Sequence, residues 1–207
     1  SPYIHETPIL TSRLINEIAD CSIYFKCENF QKMGAFKMRG ATNAILQLSQ
    51  EDQKKGVVTH SSGNFAQALS LAAKSLGITA YIVMPSSAPQ VKKDAVKTYG
   101  GIIIECPPTL KNREETAQKI VEEKGATFVH PSNDIEVILG QGTAALELLQ
   151  KQPHLDLVIT PVGGGGLIGG TALAVNLFAK SAKTIGAEPF EVDDAYRSLI
   201  SGTIETN

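Results

Sequence analysis

The sequence has no tryptophan, only three cysteines, no excess of either charge and no long apolar run. Nineteen Lys and Arg against 21 Asp and Glu leave a formal net charge of −2. That balance carries no electrostatic footprint for nucleic acid or an anionic membrane surface. No apolar stretch approaches the ~20 residues that cross a bilayer. The first residues lack the charged segment and apolar core of a secretory leader, so none is expected. Cys21, Cys27 and Cys106 are odd in number, and their spacing fits neither a CxxC redox motif nor a zinc site. They are expected to be buried free thiols in a reducing cytoplasm. What is present is an ordinary globular composition, 43% hydrophobic over 207 residues. That suffices for a substantial core in one large domain or two small ones.

Strand-like and helix-like segments alternate. Strands are expected at Ser22–Lys26, Val57–Thr59, Ala80–Met84, Ile102–Glu105, Thr127–His130, Leu155–Pro161 (fully buried) and Thr184–Ala187. Helices are expected at Lys37–Leu48, Asn64–Leu76, Gln90–Tyr99, Arg113–Lys124, Gly142–Gln150 and Gly169–Ala179. The first of these places Ala41, Ala44, Ile45 and Leu48 on one face, and Gly77 ends the second. Such alternation predicts an α/β fold of βαβ units, with twisted parallel sheets covered by helices on both faces. Between Gly56 and His130 the alternation is tight enough for a lobe of its own. The expected organisation is a small domain, 56–130, inserted in a large domain made of 1–55 and 131–207.

Three segments carry chemistry. Asp156–Lys180 is a strand, four consecutive glycines and an Ala-rich helix. Glycines 163 to 166 expose only backbone N–H groups, and the helix start adds a positive dipole end, so the loop suits a phosphate. Gly164, Gly166 and Gly169 also satisfy G-x-G-x-x-G, with Glu188 after the next strand. That is the dinucleotide pattern. Alone, the segment does not separate a nicotinamide cofactor from another phosphate, nor from a flexible turn with tight helix packing.

The second segment is ENFQKMGAFKMRGA. Lys37 lies just inside a helix start, where the dipole favours the neutral amine that a Schiff base requires. A surface lysine with a snorkelling stem is the plain alternative, weakened by the neighbouring Phe36, Gly34, Ala35 and Gly40. The third is His60-Ser61-Ser62-Gly63-Asn64, directly after a strand and opening a helix. It reads as a helix cap. It also presents backbone amides, two hydroxyls and a carboxamide to one point, as a carboxylate site does.

Taken in order, FKMRGA, THSSGN, HPSND with GQGT, PVGGGG and GAEP closely resemble the fold-type II pyridoxal-phosphate (PLP) enzymes. Within these, the motifs are similar to the eukaryotic serine racemase and serine/threonine dehydratase group. The resemblance runs from Thr7 to the C-terminus and implies the α/β fold with an inserted small domain. It implies that Lys37 binds the cofactor as a Schiff base and that Phe36 packs on its ring. Asn64 would meet the ring's phenolic oxygen. Gly163, Gly164, Gly165 and Gly166 would cradle its phosphate. Ser61, Ser62, Gly63 and Asn64 would hold the substrate carboxylate, with Ser62 as a second acid/base opposite Lys37. Glu188, the Val192 carbonyl and Asp194 match a divalent-cation site suited to Mg²⁺ or Ca²⁺.

Two departures stand out: Phe65 replaces a histidine found in many racemase-like members, and family members continue well beyond Asn207. The resemblance further implies a homodimer. It also implies ATP as an allosteric activator, for which Lys32, Lys92 and Tyr99 lie in suitable segments. The expected activity is interconversion of L- and D-serine with β-elimination of serine to pyruvate and ammonia. The alternative is an L-serine/L-threonine dehydratase without racemisation. A nicotinamide-dependent oxidoreductase leaves Lys37 without a task, and a non-catalytic fragment is the reading from a different class.

Overall fold

The computed structural model describes residues 2–206. The chain runs β1 (Ile9–Leu10), α1 (Arg13–Ala19), β2 (Phe25–Lys26), two 3-10 turns, α2 (Lys37–Leu46), α3 (Gln50–Lys55), β3 (Val57–His60) and α4 (Asn64–Ser75). It continues with β4 (Ala80–Pro85), α5 (Gln90–Thr98), β5 (Ile102–Cys106), α6 (Leu110–Lys124), β6 (Thr127–Phe128) and α7 (Ile135–Lys151). The last elements are β7 (Leu157–Pro161), α8 (Gly166–Phe178), β8 (Lys183–Ala187) and α9 (Asp194–Ser201). The α/β fold inferred from the alternation is present.

Four strands form one parallel sheet in the order β5-β4-β3-β6. Alternate residues face opposite ways, as the two-residue period of a strand demands. Val57, Ile82 and Met84 pack with Leu69, Ala66 and Ile45 from α4 and α2. Val58, Val83 and Cys106 pack with Ala117 and Ile120 of α6. Helices therefore cover both faces. The pair β7-β8 is also parallel, but only Val158 and Thr160 of β7 are buried. Its covered side rests on α7 and α8 through Leu148, Leu149 and Val175. The other side leaves Leu157, Ile159 and Ile185 exposed. The expectation of a fully buried strand fails because helices cover one face only.

Other boundaries shifted for local reasons. The strand expected at Ser22–Lys26 shrinks to two residues paired antiparallel with β1. The expected helix from Gly142 begins at Ile135, where the Asp134 carboxylate accepts from the Glu136 and Val137 amides at 2.9 and 3.2 Å. Gly140 and Gly142, which hide this helix in the sequence, let it approach its neighbours. A Cβ on Gly140 would stand 2.6 Å from the Gly40 Cα, and one on Gly142 2.5 Å from the Gly170 carbonyl. Helices α1, α3 and α9 were not expected. Of the three thiols only Cys106 is buried, and Cys21 is exposed.

Candidate active site

Lys37 opens α2, and the cap residue before it, Phe36, offers no side-chain hydrogen bond to the helix amides. The Lys37 Nζ donates to the Pro131 carbonyl at 2.6 Å. It lies 5.3 Å from the ring centroid of Phe36 and 5.7 Å from that of Phe65. Burial lowers its pKa. The amine is thus held among apolar rings with one carbonyl acceptor, which moves it toward the neutral nucleophile.

Two residues further on, Arg39 fixes the same helix turn from behind. Its guanidinium is fully buried. It forks onto Glu28 at 2.7 and 2.9 Å and onto Glu147 at 2.7 and 2.8 Å. Lys26 adds a bond to Glu147 at 2.6 Å. Desolvation works against the Arg39 charge, yet hydrogen bonds to Glu147 and Glu28 outweigh it and raise the pKa. Burial would push the Glu147 carboxyl up, but bonds from Arg39 and Lys26 hold it below the usual carboxylate range. The pairs tie α2 to α7 and to the strand β2.

The Ser-Ser-Gly-Asn turn follows β3 and leads into α4. Ser61 Oγ accepts from the Gly63 amide at 3.3 Å. The cap residue is Gly63, without any side-chain cap bond. The first amides of α4 are therefore left for an external acceptor, which suits a carboxylate. Phe65, the second residue of α4, reaches the Lys37 amine and so brings this turn to the lysine.

The glycine loop leads from β7 into α8, which starts at Gly166 rather than at Gly169 as expected. Its cap, Gly165, has φ of 80°, in the left-handed region, and gives no side-chain bond to the helix. A Cβ on Gly164 would meet Ser132 Oγ at 2.5 Å, and one on Gly166 the Ser132 carbonyl at 3.0 Å. Ser132 therefore presses on the loop while its neighbour Pro131 holds Lys37. The lysine, the Ser-Ser-Gly-Asn turn and the glycine loop converge through Phe65, Pro131 and Ser132. Pro131 and Ser132 lie in the HPSND segment, whose local sequence carries no signal for either contact.

The structure places Glu188 just after β8. Its carboxylate accepts from the Ala195 and Tyr196 amides at 3.3 and 2.9 Å, capping α9. Asp194 is the first residue of that helix, and Val192 lies between them with its amide bonded to the Pro189 carbonyl. Among the described residues no group of three or more His, Cys, Asp or Glu could hold a metal ion. Among the described residues no helix is long and apolar enough to cross a membrane.

The residues present fit PLP. Lys37 is a half-buried amine of lowered pKa, and the glycine loop runs into the start of α8 with open space beside Gly163 and Gly165 and no side chain to block a phosphate from its amides. A family model described as "Pyridoxal-phosphate dependent enzyme" matches residues 1–207. The chain is 53% identical over 203 residues to a beta-hydroxyaspartate dehydratase of Paracoccus denitrificans, covering 98% of this chain and 64% of that protein. It is 53% identical over 205 residues to a serine racemase of Arabidopsis thaliana, covering 99% and 62%. The crystal structure of a serine racemase from Dictyostelium discoideum superposes with a TM-score of 0.96 at 50% identity, over 99% of this chain and 66% of that one. The chain thus spans less than two thirds of these proteins. With the half-buried lysine and the glycine loop set in this α/β frame, the chain belongs to the pyridoxal-phosphate dependent enzyme family and has its fold-type II architecture.

Proposed function

We propose that the chain carries the active-site chemistry of a serine racemase that also eliminates water from serine. The observation that carries this reading is the Lys37 amine, held at the Pro131 carbonyl and 5.7 Å from the Phe65 ring beside the Ser-Ser-Gly-Asn turn. PLP, when bound, supplies the electron sink for the negative charge that develops at the substrate α-carbon. Everything else is work for side chains and amides. Lys37 would hold the cofactor through its aldehyde, and its Nζ would take or return the substrate α-proton on one face. Phe36 would support the ring, Asn64 would meet its oxygen, and the amides of Gly163, Gly164, Gly165 and Gly166 would hold the phosphate. Ser61, Ser62, Gly63 and Asn64 bind the substrate carboxylate at the uncapped start of α4. The Ser62 hydroxyl handles the proton on the opposite face.

A second reading is a dehydratase without racemisation, acting on serine, threonine or a hydroxylated acidic amino acid. The 53% identity to a beta-hydroxyaspartate dehydratase favours it. Replacing Ser62 by Ala separates the two. The racemase reading requires that L- to D-serine conversion nearly vanish while β-elimination from L-serine survives. A parent that eliminates water but does not racemise is the dehydratase, and an unchanged ratio in a racemising parent leaves Ser62 as a turn residue only. Assaying serine, threonine and β-hydroxyaspartate side by side then identifies the substrate. Borohydride reduction should place a pyridoxyl group on Lys37, and label on Lys32 instead would defeat the assignment.

The same proposal includes a homodimer in the cytoplasm, a 56–130 domain set within 1–55 and 131–207, and ATP as an effector near Lys32, Lys92 and Tyr99. It also includes Mg²⁺ or Ca²⁺ bound by Glu188, the Val192 carbonyl and Asp194. Hard oxygen donors support the cation. Each Glu188 oxygen accepts one α9 amide and keeps a lone pair for the cation.

A further inference from the structure

His130 lies beside the site without a part in the chemistry above. Its Nδ1 faces the amides of Ser132 and Asn133 at 3.2 and 2.8 Å. Amides only donate, so Nδ1 is the unprotonated acceptor and the ring proton is on Nε2. The ring thereby folds residues 130 to 133 into a tight turn. Pro131, within that turn, offers its carbonyl to Lys37 Nζ at 2.6 Å. Ser132, the next residue, packs on Gly164 and Gly166.

We propose that neutral His130 is a positioning residue: its Nδ1 builds the turn that sets the cofactor lysine and the phosphate loop in register. Its role is to hold the Pro131 carbonyl at the amine and Ser132 under the glycines, a few ångströms apart along one rigid turn. Protonating Nδ1 would replace two accepted hydrogen bonds by two facing donors. The groups around the ring are His60 of β3, which meets it edge-on at 5.8 Å, Phe128 of β6 at 6.2 Å, Asp134 ahead of α7, Lys37 of α2 and Glu114 of α6. Desolvation first, then the His60 and Lys37 charges, lower the His130 pKa against the opposing pull of Asp134 and Glu114. The turn is therefore complete at neutral pH. It is lost as pH falls below the ordinary imidazole range and through the depressed value.

The test has a cofactor-free arm and a cofactor arm, because the inference rests on the proposed function only in the second. In the unmodified chain without PLP, ring ¹⁵N shifts at pH 8 should report the Nε2–H tautomer, with slow exchange at the Ser132 and Asn133 amides. A proton on Nδ1 overturns the proposal. In the second arm, PLP affinity is measured by absorbance titration between pH 5 and 8. His130→Ala should weaken PLP binding by about tenfold or more. His130→Asn should restore it, since an Asn side-chain oxygen accepts from the same two amides in an Asx turn. It should also remove the His130 step from the pH profile. If His130→Asn is as weak as His130→Ala, or His130→Ala binds like the parent, the Nδ1 acceptor has no such role. If the unmodified chain binds no PLP, the proposed function fails while the tautomer result stands.

Discussion

Replacing Arg39 by Met tests how α2 is held at the start of the site. Met fills much of the same space, so the change mainly removes a charge and its fork of hydrogen bonds. In the parent chain the guanidinium is fully buried and serves both carboxylates with bonds of 2.7 to 2.9 Å. Without it Glu28 and Glu147 are stranded with side-chain exposures of 17 and 18%. Lys26 still offsets Glu147, whereas Glu28 keeps only the Thr7 hydroxyl. Breaking one partner out of a buried ion cluster costs about 3–5 kcal/mol. At roughly 2–4 °C per kcal/mol for a chain of this size, the melting temperature should fall by about 6–20 °C. Urea denaturation gives the free energy directly, provided both chains unfold in one transition.

The loss has a pH signature. The Glu147 carboxyl is held low by Arg39 and Lys26, so its contribution is present above the ordinary carboxylate pKa and disappears as pH falls through the depressed value. The difference between parent and Arg39→Met should shrink toward low pH. Adding Glu28→Gln and Glu147→Gln to Arg39→Met should recover part of the stability, because no uncompensated carboxylate then remains. Arg39→Lys should fall between, since an ammonium cannot fork onto two carboxylates. A loss under about 1 kcal/mol, the range of surface pairs, would refute the reasoning.

Gly164→Ala should drive a Cβ into Ser132 Oγ and weaken PLP binding by about tenfold or more, by analogy with overpacking penalties of 1–3 kcal/mol; adding Ser132→Gly should restore the affinity in the same absorbance titration. Chelator should lower the melting temperature and Mg²⁺ or Ca²⁺ should restore it if Glu188 and Asp194 hold a cation, and a constant melting temperature counts against the site. The open face of β7 and β8, with Leu157, Ile159 and Ile185 exposed, should bind a hydrophobic dye. Ile159→Lys should cut the dye signal without changing the far-ultraviolet circular dichroism.

The elements legible in the sequence are those whose hydrophobic period matches their burial. β3 and β4 read as short β-branched strands and pack on both faces. Helix α4 reads from its Ala and Leu spacing and ends before Gly77, with φ of 71°. Lys37, the Ser-Ser-Gly-Asn turn and the glycines, on which the proposed function rests, stand out in the sequence because each breaks its local pattern in a chemically specific way. What stayed hidden depends on distant partners. Helix α1 buries no residue and α9 buries none, so neither shows a core face to read. The start of α7 was masked by Gly140 and Gly142, which look like breakers but serve close packing. Nothing in its local sequence marks Arg39 as buried, and its burial follows from Glu28 and Glu147, the latter 108 residues away. The contact of Ser132 with Gly164 and Gly166 likewise joins two segments that are separate in sequence.

The state of Lys37 leads to one more prediction. Its pKa is lowered by burial, so the folded chain holds this proton less tightly than the unfolded chain does. Between the depressed value and the ordinary lysine value the unfolded state binds more protons, and stability rises with pH across that window. Below that window the folded state carries the full penalty of a charged amine among the Phe36 and Phe65 rings. The Pro131 carbonyl accepts a hydrogen bond from the amine in either protonation state, so it offsets this penalty only in part. Lys37→Met keeps the stem and removes the charge. The cofactor-free variant should therefore melt above the parent at pH 7, and the gap should narrow as pH rises toward 10. PLP should reverse the order, because only the parent gains the covalent ligand. Such a chain gives up stability at the residue it needs for chemistry, as functional sites commonly do. A cofactor-free Lys37→Met that melts below the parent at pH 7 would mean that the Pro131 bond and the ring contacts outweigh desolvation. Lys37 would then be a structural ammonium rather than a poised nucleophile.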